Sequence, residues 1–94
     1  MKYYIYILTN ATHSVLYVGV TGDLRKRVIA HCNGEGSSFT RKYHINQLVY
    51  YGKFDTPTDA LEREKQLKRW RREKKIDLIE RMNPLWENWS DSFF

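Results

Sequence analysis

The stretch Tyr3-Tyr4-Ile5-Tyr6-Ile7-Leu8-Thr9, followed after polar Asn10 to Ser14 by Val15-Leu16-Tyr17-Val18-Gly19-Val20, decides how this chain is read. Both runs consist mainly of aromatic and branched side chains, which suit a pleated surface and read as strands. Two such strands joined by a few polar residues suggest an antiparallel hairpin. Neither run alternates cleanly with polar residues. Both faces of the sheet are therefore apolar, and helices must cover at least one of them.

Outward from the hairpin, Thr21-Gly22-Asp23 punctuates the chain and offers Asp23 as an N-cap. The spacing predicts a helix from Leu24 to about Asn33, with Leu24, Val28 and Cys32 in one apolar stripe and Ile29 widening it. Arg27 and His31, one turn apart, stand at a border of that stripe. Asn33 to Asn46 contains Gly34, Gly36, Ser37 and Ser38 and reads as a long loop, its Thr40-Arg41-Lys42-Tyr43-His44 segment basic and aromatic. Gln47 to Phe54 reads as a third strand. Thr56-Pro57-Thr58-Asp59 is a helix start, with Thr56 the cap, Pro57 the first helical residue and Asp59 the acid in the first turn. That helix runs to Trp70 or beyond. Another spans about Glu73 to Met82, and Asn83-Pro84 ends it. Residues 85–94 form an aromatic tail with Trp86, Trp89, Phe93 and Phe94. The expected fold is α/β in the α+β sense, ordered β-β-α-β-α-α. A three-stranded, mostly antiparallel sheet is flanked by three helices, in one domain over 1–94.

Composition agrees and narrows the partners. With 41% hydrophobic and 15% aromatic residues, the chain buries a modest core, and disorder is excluded for most of its length. Sixteen Lys and Arg against eleven Asp and Glu give +5. A basic surface favours polyanions, with nucleic acid the first candidate and an anionic membrane the second. Cys32 is the only cysteine, which excludes an internal disulfide and a multi-cysteine zinc site and fits a reducing cytoplasm. Tyr3 to Leu8 is too short to span a bilayer and lacks a signal-peptide cleavage region. The expected location is the cytoplasm, with no membrane partner, and the chain is taken as a monomer.

Four placements carry chemistry. On a helical wheel Glu64 falls about 40° from Ala60, between Leu61 and Leu67 and within the apolar stripe. A buried carboxylate needs a partner, either Lys68 one turn on or a divalent metal ion such as Mg²⁺. Arg27 suits a phosphate and His31 a proton, although both also read as ordinary helix-surface residues. Tyr4, Tyr6 and Tyr17 read as core, or as phenols that orient or deprotonate a water; as a base such a phenol needs positive charge nearby. From Glu62 to Arg81 stand nine Lys or Arg and five acids, most of the chain's net charge. Arg69, Arg71, Arg72, Lys74 and Lys75 crowd one helix junction, an arrangement suited to a phosphate backbone.

Taken in order, these residues resemble the GIY-YIG nuclease superfamily. Tyr4-Ile5-Tyr6 looks like its first motif and Tyr17-Val18-Gly19 like its second, followed by Arg27, His31 and, on a later helix, Glu64. The run from Ala60 to Trp70, with the later Asn83-Pro84-Leu85-Trp86, resembles the small stand-alone, single-domain members of the superfamily. Those members are related to the nuclease domain at the N-terminus of the incising protein of nucleotide excision repair. The resemblance implies the same three-stranded sheet and a metal-dependent endonuclease acting on DNA. It implies Tyr17 as the water-activating phenol, Tyr6 beside it, Arg27 on the scissile phosphate and His31 in proton transfer. Glu64 would hold one divalent cation, Mg²⁺ or Mn²⁺. Arg27, Arg41, Lys42, Lys68, Arg69, Arg71 and Arg72 are the expected contacts to nucleic acid. Tyr4 stands where the first motif has its glycine, and Val20 where some relatives carry a lysine. Asn83 and Asn88 are both candidates for the late asparagine of larger relatives. Two other readings stay open: a non-catalytic module binding RNA or branched DNA, and an interaction domain whose aromatic tail docks a partner instead of folding back.

Overall fold

The computed structural model describes residues 1–93; Phe94, the last aromatic of the tail, lies outside them. The elements are β1 (Tyr3–Thr9), β2 (Leu16–Thr21), α1 (Leu24–Cys32), α2 (Ser38–Lys42), β3 (Gln47–Phe54), α3 (Pro57–Arg69), α4 (Arg72–Met82) and a 3₁₀ turn (Trp89–Phe93). The sheet is antiparallel throughout, in the order β2-β1-β3. The three expected helices are present. The correction is α2, which lies inside the stretch read as a loop.

Both faces of the sheet are covered, because period-two alternation divides the continuous apolar strands between two cores. Ile5, Ile7 and Val18 pack with Val49 and Tyr50 beneath Ala60 and Leu67 of α3 and Ile79 of α4. Tyr6, Leu8 and Leu48 pack on the other face with Leu24 and Val28 of α1, Ile45, and the tail residues Trp89 and Phe93. A bulge shifts the β1–β3 register between Ile7 and Leu8 and leaves Val49 as the extra residue.

The helix starts follow their caps. Asp23 Oδ1 accepts from the Lys26 amide at 3.0 Å, and Thr56 Oγ1 accepts from that of Asp59 at 3.2 Å. Leu61 departs from the expected stripe of α3. It is 44% exposed while Ala60 and Leu67 are fully buried, so Glu64 sits at the stripe's margin and not at its centre. On α1, His31 joins the buried face, and Cys32 is only half-buried.

The tail folds back and closes the open edge of β3, which would otherwise expose unpaired backbone groups. Buried Asn83 donates to the carbonyls of Val49 and Glu87, at 3.1 and 2.9 Å, and accepts from the Glu87 amide at 2.9 Å. Asn88 Oδ1 accepts from the Leu48 amide at 3.2 Å. These bonds give both late asparagines a structural task at the bulged edge. Replacing Asn83 by Ala strands buried carbonyls, each costing about 1–3 kcal/mol. Thermal unfolding of Asn83→Ala should fall by roughly 10 °C, given ~4–8 °C per kcal/mol for a domain of this size.

Candidate functional site

Tyr6 occupies the centre of the face that α1 covers. Its cross-strand partner is Gly19, and that glycine is a steric requirement. A Cβ there would stand 2.9 Å from Tyr6 Cε1 and closer still to the phenolic end of the ring. Tyr17, two residues earlier on the same face of β2, flanks the ring; its centroid is 5.8 Å from that of His31.

His31 is only 6% exposed and spent at both nitrogens. Its Nε2 lies 3.4 Å from the Tyr6 hydroxyl and its Nδ1 3.1 Å from Thr40 Oγ1. The Thr40 hydroxyl donates to the Ser37 carbonyl at 3.0 Å, so it accepts from the imidazole. That fixes the proton on Nδ1 and leaves Nε2 to accept from the Tyr6 phenol. Gly36 closes the other side of the ring, where a Cβ would stand 2.6 Å from Cε1.

The electrostatics support this assignment. Burial, then the Arg27 charge, holds the His31 pKa below 6.5. Burial foremost, then Tyr17, pushes the Tyr6 pKa up to about 12; Arg27 opposes the rise and Glu64 adds to it. At neutral pH the pair is thus a neutral imidazole and an intact phenol. The lowered His31 pKa also sets a stability window. Between the unfolded value of 6.5 and the lower folded value the unfolded chain binds more protons, so stability falls as pH drops through that window. Melting temperatures measured from pH 8 down to 5 should show this loss, and His31→Gln should flatten it.

Tyr6, Tyr17 and His31 therefore pack together, while Arg27 and Glu64 act on them through charge. Arg27 is exposed, one helical turn before His31. Glu64 comes from α3, the layer across β1 and β2 from α1, yet its charge is felt at the Tyr6 hydroxyl. Its side chain is 15% exposed, and Lys68 Nζ lies 3.5 Å from Oε2. Among the described residues no group of three or more His, Cys, Asp or Glu side chains is placed to hold a metal. A single sheltered carboxylate fits a cation that keeps most of its waters, as Mg²⁺ does.

The basic residues divide. Arg41 and Lys42 lie exposed on α2 next to Thr40, and Arg69 and Arg71 are exposed at the junction of α3 and α4. Arg72 departs from expectation. Its guanidinium donates to the carbonyls of Ser14 and His13, at 3.0 and 2.5 Å, and ties α4 to the hairpin turn. Arg63 and Lys74 cover Trp70 from 4.9 and 4.3 Å. The crowded junction is thus partly internal scaffolding.

Ser37, Thr40 and Gly36 escaped the sequence reading. Ser37 caps α2 by accepting from the Thr40 amide at 3.2 Å. The helix ends with Ile45 N bonded to Thr40 O at 2.9 Å and His44 N to Arg41 O at 3.3 Å. This is a Schellman closure, with His44 at φ 54° where glycine is usual. A glycine at 44 would have announced the helix.

The GIY-YIG catalytic domain model matches residues 2–77. The chain belongs to the GIY-YIG family. Its relatives include a UPF0213 protein of Staphylococcus saprophyticus, 45% identical over 83% of this chain and 94% of that protein. Another from Haloquadratum walsbyi is 44% identical over 83% of this chain and 86% of its own. The solution NMR structure of a UPF0213 protein from Bacillus halodurans matches this GIY-YIG fold with a TM-score of 0.59 at 32% identity, covering 94% of this chain and 93% of that one. A GIY-YIG domain is a nuclease-type domain with nucleic acid as its substrate. Among the described residues no helix is long and apolar enough to cross a membrane.

Proposed function

We propose that this GIY-YIG domain is a metal-dependent endonuclease that hydrolyses phosphodiester bonds in DNA. The observation that carries the reading is the buried Tyr6–His31 hydrogen bond, held neutral beside Arg27 and in the field of Glu64. In hydrolysis a water oxygen bonds to phosphorus, the ester P–O bond opposite breaks, and the attacking water loses a proton. Tyr17, half-buried at the open side of the cluster, orients that water. Its proton passes to the Tyr6–His31 pair, whose bare Nε2 is the available acceptor.

Arg27 binds the scissile phosphate and stabilises the charge that gathers on it. The same charge holds His31 weakly basic in the free protein. A phosphate arriving at Arg27 offsets that charge and raises the proton affinity of His31 when substrate is present. Glu64 would hold one Mg²⁺ or Mn²⁺, which when bound supplies Lewis-acid stabilisation to the phosphate oxygens. Arg41, Lys42, Lys68, Arg69 and Arg71 supply the surrounding positive surface.

Nicking of supercoiled plasmid in Mg²⁺ tests the proposal. Arg27→Ala should slow the wild-type rate by on the order of 10²–10³, the usual consequence of removing one transition-state donor. Tyr17→Phe should slow it as well. Full activity in both variants sinks this reading. The Glu64–Lys68 pairing favours one alternative, a non-catalytic module for RNA or branched DNA. That module would show salt-sensitive binding indifferent to Tyr17. A monomer in the cytoplasm is the setting proposed for either activity.

A further inference from the structure

Helix α2 does more than hold His31. Thr40 points into the cluster, but Phe39 and Tyr43, one turn apart on the same helix, remain 46% and 45% exposed. Their ring centroids lie 4.9 Å apart. Phe39 also stacks towards Tyr17, with centroids at 6.5 Å and planes 27° apart. An aromatic stair therefore leads from the candidate catalytic cluster outward over the surface. Arg41 and Lys42 lie in the same short helix, with Lys42 Nζ 5.4 Å from the centre of the Tyr43 ring. Glu35 is the only acid between Asn33 and Asn46.

The helix that presents these rings is fixed at both ends, by the Ser37 cap and the Schellman closure at Ile45. Rigid half-exposed rings flanked by cations suit a ligand with a flat π-face and a negative backbone. A duplex buries the faces of its bases against their neighbours and shows a protein only base edges and phosphates. An unpaired base offers its face.

We propose that Phe39 and Tyr43 form a stacking platform for an unpaired nucleobase of the substrate strand, adjoining the phosphate that Arg27 holds, with Arg41 and Lys42 on the flanking phosphates. The substrate class is then nucleic acid with unpaired residues at the cleaved position. The inference rests on the nuclease reading for its place beside the scissile bond, but its binding test needs neither metal nor cleavage.

The test is fluorescence anisotropy in EDTA with the full chain. The probes are a labelled single-stranded DNA of about 12 nucleotides, the RNA of the same sequence, and the corresponding DNA duplex. Phe39→Leu and Tyr43→Leu keep apolar bulk but remove the ring; Phe39→Trp keeps a ring. Each Leu variant should weaken single-strand binding by on the order of tenfold and leave duplex binding within about twofold, while Phe39→Trp retains affinity. Preference between the DNA and RNA strands identifies which backbone carries the base. Circular dichroism and melting of each variant verify the fold. The platform is overturned if the Leu variants weaken duplex and single strand alike, if they change neither, or if the wild type binds no probe at low salt. Ring-dependent binding without Mg²⁺-dependent cleavage would keep the platform and reject the nuclease.

Discussion

Glu64→Gln is expected to lower Mg²⁺-dependent cleavage by on the order of 10²–10³ or more, while the melting temperature stays close to wild type. The substitution keeps the volume of the side chain and removes its charge. Its one ion-pair partner, Lys68, is 56% exposed at the side chain and returns to water at little cost. Binding of Mn²⁺ followed by calorimetry gives a readout besides activity. The wild type should bind one ion, Glu64→Gln should not, and Lys68→Ala should bind at least as well because the competing ammonium is gone. If Glu64→Gln binds Mn²⁺ as the wild type does, the carboxylate is simply the acid of a surface ion pair.

Gly19→Ala should cost about 1–3 kcal/mol of stability and most of the activity. The new methyl must occupy space that the Tyr6 ring fills. A ring at a surface would swing away. Tyr6 is 3% exposed and bonded to His31, so either the ring or β2 must shift. A double-mutant cycle separates this clash from a general weakness of the strand. In a Tyr6→Ala background the penalty of Gly19→Ala should largely vanish. A penalty unchanged in that background would mean that residue 19 matters for the backbone of β2 and not for the phenol.

Some of this protein was legible residue by residue. The strands, both well-capped helix starts and the order of elements follow from apolar runs, Asp23, Thr56 and Pro57, because these signals act within a few residues of themselves. The family resemblance rested on the order of Tyr6, Tyr17, Arg27, His31 and Glu64 along the chain. Other features were invisible because their causes lie far away in sequence. Short α2 looked like a loop, since its closing residue is His44 and not glycine. The task of Arg72 depends on carbonyls of the hairpin turn, at Ser14 and His13.

The sequence by itself determined the elements, the sheet and the identity of the chemical groups, since local propensity and hydrophobic pattern are properties of neighbouring residues. Only the tertiary structure decided the states of those groups. Tyr6 became a protonated phenol near pKa 12, His31 a buried neutral imidazole with a fixed tautomer, and Thr40 its orienting partner. Protonation and tautomer depend on burial and on charges brought close by folding, and no spacing along a chain encodes those distances.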